Sequence, residues 1–259
     1  MTRDITAILN EWPFQPGQIS ARVVEGEDGE PRIQIRLDLG LLQMHAEGRP
    51  DGQRPYGFPS LLDYYDSLRD REELTDLAAD EESEEAASET LTINVEDSRA
   101  LREELAQYNQ RALALLALED FECVVRDSSR NLRVLDLCKS AAEQEDDRTV
   151  LEQYRPYILM MRYRALASQA VKDNEAKAAL LVIDEGLAAL KVCYGDMGKP
   201  NLYEASTEVQ MLRGIRDQLV PKLPLSQKAE LKRRLGEAIE QENYELAAIL
   251  RDELKQLKD

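Results

Sequence analysis

RALALLALEDFECVVRD, residues 111–127, is the stretch that decides the fold. Small and large apolar residues fill Ala112 to Leu118, the acidic pair Glu119-Asp120 breaks the run, and apolar positions resume at helical spacing through Asn131-Leu132 to Leu137. That order reads as helix, turn, helix. The same order returns from Tyr163. Ala165, Ala167 and Ala170 lead into Asp173-Asn174-Glu175, and a second helical run continues through Gly186-Leu187 to Leu190. From Arg99 to Leu219 the chain has few breakers, so antiparallel helical pairs stacked on one another are expected.

These two units are similar to tetratricopeptide-type helix–turn–helix pairs. They differ in lying about 55 residues apart instead of about 34, and in lacking that repeat's Trp and Pro landmarks. Ala112, Ala114, Ala117, Ala165 and Ala167 are expected at helix crossings. Met160, Met161, Tyr157 and Tyr163 supply bulk, either as core or as a Met-rich peptide groove. After the turn Gly195-Asp-Met-Gly198-Lys-Pro200, one further helix is expected from Leu202 to Leu219, with Pro221 and Pro224 beyond it.

Toward the N-terminus the period changes to two. Ile19, Ala21 and Val23 alternate with polar neighbours, as do Ile33, Ile35, Leu37 and Leu39, and Gly26-Glu-Asp28-Gly29 between them is turn chemistry. A β-hairpin is expected, extended through Leu41, Leu42 and Met44 with Gly40 as a bend. Residues 47–59 then hold three glycines and three prolines, which forbid regular structure. Arg49, Arg54, Tyr56 and Phe58 make this loop a candidate contact surface for an acidic or aromatic group. The alternative is a loop that wraps the sheet and staples it to the next helix. That helix starts at Ser60, with Leu61, Leu62, Tyr65 and Leu68 on one side. It fades into residues 80–89, six of ten acidic, read as a mobile boundary. Thr90 to Val95 is expected as a short strand, with Asp97 or Ser98 capping the next helix.

At the other end stands SQKAELKRRLGEAIEQENYELAAILRDELKQLKD, Ser226 to Asp259. Leu231, Leu235, Ala238 and Ile239 recur at helical spacing, then Ala247, Leu250, Leu254 and Leu257, with Glu242-Asn243-Tyr244 as the turn. A large apolar side chain contributes roughly 1.5–3 kcal/mol on burial, while ordering each backbone residue costs about 1–2 kcal/mol. A lone hairpin of under ~40 residues is marginal, so its apolar stripe requires a docking surface.

The order Leu231, Leu235, Ala238-Ile239, Glu242-Asn243-Tyr244-Glu245, Ala247-Ala248, Leu250-Arg251-Asp252, Leu254 and Leu257 resembles the UVR motif. That motif is named after bacterial excinuclease subunits B and C, and also occurs in some Clp ATPases and in activators of a bacterial arginine kinase. The resemblance implies a protein–protein contact module, with Leu231, Leu235, Ile239, Tyr244, Ala247, Leu250, Arg251, Leu254 and Leu257 as partner-binding residues. The larger families' other parts are missing. The sequence has no phosphate loop, since Gly195-Asp-Met-Gly198-Lys199-Pro200 has the wrong spacing. No Cys-x-x-Cys pair precedes the hairpin, and no Gly-Ile-Tyr…Tyr-Ile-Gly nuclease signature is present.

A formal net charge of −18 opposes nucleic-acid or anionic-membrane binding. Lys232-Arg233-Arg234 is a local exception, but residues 221–259 balance eight basic against eight acidic side chains. Cys123, Cys138 and Cys193 are widely spaced within helical patterns and read as buried free thiols. His45, the only histidine, has no nucleophile or metal-ligand cluster near it in sequence. No catalytic, cofactor-binding or metal-binding residue is assigned, and no cofactor is expected. Without a signal region or long apolar run, the expected location is the cytoplasm.

The expected fold is α+β, mainly α. A β-hairpin element and loop occupy residues 1–59, a helix 60–79, an acidic linker 80–90, a tetratricopeptide-like helical domain 91–220 and a UVR-like hairpin 222–259. The expected function is a non-enzymatic adaptor that binds a protein partner, or a second copy of itself, through the hairpin. The alternatives are an accessory factor of nucleotide excision repair contacting excinuclease subunits, and an enzyme or small-molecule binder using the Arg49–Pro59 loop.

Overall fold

A computed structural model describes residues 4–78 and 91–219, and within the C-terminal segment residues 234–236, 238–240, 246–247 and 249–251. Residues 80–90, expected as an acidic linker, lie outside the described residues. The chain divides into two compact units, 1–216 and 217–259.

The first unit opens with a short helix α1 (Thr6–Glu11) and strands β1 (Ala21–Glu25), β2 (Pro31–Leu37) and β3 (Gly40–His45). They form an antiparallel sheet in the order β1-β2-β3. Val23 pairs with Ile33 and Ile33 with Met44, so alternate residues of β1 and β2 and the facing residues of β3 share the inner face. The β1–β2 turn closes where the Gly26 N–H donates to the Glu30 carbonyl at 2.8 Å, with Gly29 at φ 79°. The strand expected to run on through Leu39 instead reverses there. Leu37 pairs with Gly40, and Leu39 is 91% exposed at the turn. Apolar alternation carried on across a two-residue reversal, so the period alone hid a third strand. The outer face is covered too. Arg36 donates to the Trp12 carbonyl at 2.7 Å, and the Arg22 guanidinium lies 4.3 Å from the Trp12 ring centroid. Arg32, Gln34 and Arg36 are therefore buried alongside Ile33 and Ile35.

The helical body follows: α2 (Leu61–Ala78), α3 (Val95–Ala117), α4 (Phe121–Ala141), α5 (Glu145–Thr149), α6 (Arg155–Lys172), α7 (Ala176–Asp196) and α8 (Thr207–Leu219). The long helices α3, α4, α6 and α7 each pack on the next. Two of the turns between them share one design. Glu119 and Asn174 sit at φ 58° and 63°, in the left-handed region. After α3, Asp120 N–H reaches the Leu115 carbonyl at 3.0 Å and Glu119 N–H reaches Leu116 at 3.2 Å. After α6, Glu175 reaches Ala170 at 2.8 Å and Asn174 reaches Val171 at 3.0 Å. Both are Schellman closures, which satisfy the last carbonyls and fold the next helix back antiparallel.

Leu61, Leu62, Tyr65, Leu101, Leu105, Val134, Leu135, Cys138 and Ile158 share one core. Ala112, Ala114, Ala165 and Ala167 are buried at crossings, whereas Ala117, expected with them, is exposed. Met160 and Met161 are core. The tightest crossing falls at Gly186, where a Cβ would meet Tyr163 Cγ at 2.7 Å and Leu212 at 3.0 Å. Three further expectations are corrected. Ile93 makes only an isolated parallel bridge to Ala142, because a single residue of that segment reaches the end of α4. The cap of α3 is Asn94, whose side chain accepts from Asp97 N–H at 2.8 Å. The helix expected from Leu202 begins at Thr207, after a short 3-10 turn over Pro200–Leu202, where Ser206 Oγ accepts the Val209 N–H at 3.3 Å.

In the second unit, the described residues of 234–240 and 246–251 are helical. Ala238, Ala247 and Leu250 are buried together, with Leu235 packed against them.

Candidate functional site

Among the described residues of the second unit, two methyl side chains and Leu250 form the interior, and a half-buried Leu235 flanks them. Successive helical residues point about 100° apart, so the neighbours of these buried positions turn elsewhere. Ile239, beside Ala238, is 53% exposed, and Ile249, beside Leu250, is 58% exposed. The unit thus has an inner seam and an outward apolar surface. Of the residues assigned to partner binding, Ala247 and Leu250 belong to the seam, while Ile239 and Arg251 are exposed. Leu231, Tyr244, Leu254 and Leu257 lie outside the described residues. Ile249 was missed because the helical spacing was followed along a single stripe through Ala247 and Leu250. The Ala-Ala-Ile-Leu order at 247–250 carries apolar residues on two faces, and that was the available signal.

The glycine- and proline-rich loop lies against the helical body. The Arg49 guanidinium is buried, 3.0 Å from Asp51 and 3.2 Å from the fully buried Glu104 on α3. Arg130 from α4 pairs with the same Glu104, whose other oxygen accepts the Leu61 N–H at 3.0 Å. Beside it Arg111 grips Asp127 in a two-pronged contact at 2.7 and 2.9 Å, each side chain 1% exposed. Its remaining nitrogen donates to the His45 and Gly48 carbonyls at 3.1 and 2.7 Å. Tyr108 is sandwiched, with Arg130 3.9 Å and Arg111 4.7 Å from its ring centroid. Bidentate guanidinium–carboxylate pairing satisfies charges that would otherwise be too costly to bury. Sequence reading missed this seam because its members are spread from 45 to 130.

Arg54 and Tyr56 stay exposed, and Phe58 is half-buried. Tyr56 adopts φ 51° and its ring lies 4.3 Å from Tyr64, with its hydroxyl donating to Asp97 at 3.1 Å. That hydrogen bond to a carboxylate, with burial adding to it, holds the Tyr56 hydroxyl above its ordinary pKa. His45 packs on Gly52, where a Cβ would lie 2.5 Å from Nε2.

A cleft of about 540 Å³ opens among α4, α6 and α7, lined by Asp136, Lys139, Glu152, Arg155, Cys193 and Lys199, among others. Arg155 lies 2.7 Å from Glu152 and 2.8 Å from Asp136, so these three charges are matched with one another. Burial pushes the Cys193 thiol up to about 11, which keeps it protonated near neutrality and weakens it as a nucleophile. Among the described residues no group of three or more His, Cys, Asp or Glu side chains converges as a metal site. Among them no helix is long and apolar enough to cross a membrane.

Residues 226–259 match the model of one protein family, the UvrB/uvrC motif (UVR). The match covers the hairpin and none of the body. No curated protein and no solved structure matches this chain.

Proposed function

We propose that this chain is a non-catalytic adaptor of the cytoplasm, in which residues 222–259 hold a protein partner. One observation carries the reading. The segment that matches the UVR motif, in general a protein-interaction element, leaves Ile239 and Ile249 more than half exposed. Two isoleucines a little more than half exposed are a standing cost of about 1–1.5 kcal/mol each, recovered when a partner covers them. The buried ion pairs of the body support a rigid carrier for that element.

The test compares the full-length chain with its Ile239→Asp/Ile249→Asp variant by affinity purification and mass spectrometry. Proteins retained by the first and absent from the second, at equal helicity, are the expected result. Identical retention by both would falsify the adaptor reading. A second reading is favoured by the matched motif's own description: an accessory factor that engages excinuclease subunits. It predicts those subunits among the lost proteins, and their absence removes it.

A further inference from the structure

The sheet has two edges of different character. At the β3 edge, the His45 N–H donates to the Pro50 carbonyl at 2.8 Å and the His45 carbonyl accepts from Arg111 at 3.1 Å. The loop and the ion seam thus occupy that edge's outward backbone groups at its end. At the β1 edge the register settles which groups face outward. Ser20 accepts from Arg36 N–H at 2.9 Å, and Gly26 N–H donates to Glu30 at 2.8 Å. With Ala21 opposite Ile35 and Val23 opposite Ile33, the even-numbered residues of β1 hydrogen-bond toward β2. The N–H and C=O groups of Ala21, Val23 and Glu25 therefore point away from the sheet, and among the described residues nothing receives them.

The side chains tell the same story. Met44, Ile33 and Val23 form one cross-strand row on the inner face. Met44 and Ile33 are buried, yet Val23 is 58% exposed and Ile19, on the same parity, is 46% exposed. Burial along the row falls off at this edge. Ala-Arg-Val-Val-Glu has no proline, lysine or bulge; its charges are Arg22 and Glu25, which flank the apolar Val23-Val24.

We propose that β1 is a self-association strand, pairing antiparallel with β1 of a second copy about a two-fold axis through Val23. In that register Val23 exchanges both backbone hydrogen bonds with the second copy's Val23, and Ala21 does so with Glu25. Arg22 falls opposite Val24 and Glu25 opposite Ala21, so no like charges face each other. The apolar row then continues unbroken across a six-stranded sheet, and an isologous contact of this kind closes as a dimer. The surface lies on β1 and is independent of the hairpin.

The experiment uses the full chain carrying Ile239→Asp/Ile249→Asp, so that hairpin contacts do not contribute. Sedimentation is followed between about 1 and 100 μM, with amide exchange alongside. A dimer that grows with concentration is expected, with the amides of Ala21, Val23 and Glu25 slowing as it forms. Adding Val23→Lys, at a position already open to water, should return a monomer at every concentration. Val23→Pro, which removes an outward N–H and no hydrogen bond to β2, should do the same. A chain that stays monomeric throughout, or a dimer that both substitutions leave intact, overturns the proposal. The first of those outcomes would leave the edge to a foreign strand.

Discussion

The body and the C-terminal hairpin solve the burial problem in opposite ways. Within the body even charge is enclosed: Arg111, Asp127 and Glu104 have almost no exposure, and each is met by an opposite charge. Within the hairpin the described interior is two alanines and a leucine, while isoleucines face outward. Enclosed charge is what the body loses stability by exposing, whereas the described isoleucines of the hairpin are apolar surface that a partner can cover without disturbing its interior.

The largest effect should come from breaking the enclosed charge. Arg111→Ala leaves Asp127 with only the Arg126 contact at 3.1 Å and should cost about 3 kcal/mol of body stability, the low end for breaking a buried pair, read by urea denaturation. A loss below about 1 kcal/mol would mean that water already reaches the pair. Next, Gly186→Ala forces a methyl against Tyr163 and should cost about 1–3 kcal/mol, with Gly214→Ala, where a Cβ meets nothing within 4 Å, as the mild control.

A smaller effect is tied to pH. Burial holds the Cys138 thiol at about 11 against an ordinary 9.0. An unfolded thiol ionises first, so this stabilisation is whole below pH 9 and drains away as pH rises toward 11. Thermal unfolding in that window should fall less steeply for Cys138→Ala, by about 1–2 kcal/mol; parallel curves would remove the thiol from the account. The smallest effect on folding belongs to the hairpin. Ile249→Asp should shift body stability by no more than about 0.5 kcal/mol, although it is the change expected to abolish partner binding.

What could be read in advance follows the range of the interactions. The helix–turn–helix units at 111–137 and 163–190 were legible because their signals are local: apolar spacing and an acidic turn that folds as a Schellman closure. The UVR motif was legible for the same reason. Gly186 sat unnoticed inside a helical run, since its need for a hydrogen side chain is set by Tyr163 and Leu212 from other helices. The Arg49–Glu104–Arg130 cluster joins a loop to two helices, and no spacing rule connects such positions. Asn94 as cap of α3 was displaced by Asp97 or Ser98 in the reading, because all three are good cap residues and only the backbone chooses among them. Asp97 serves instead as acceptor for Tyr56 and Tyr65.

The central claim, that the hairpin's outward isoleucines meet another polypeptide, is tested most directly by placing a photo-crosslinking residue at position 249 of the full chain. Position 181 on α7, where Leu181 is also exposed, serves as reference. Crosslinks from 249 to a second polypeptide, exceeding those from 181, are the predicted result. Crosslinks from 249 solely to the chain's own residues would contradict it.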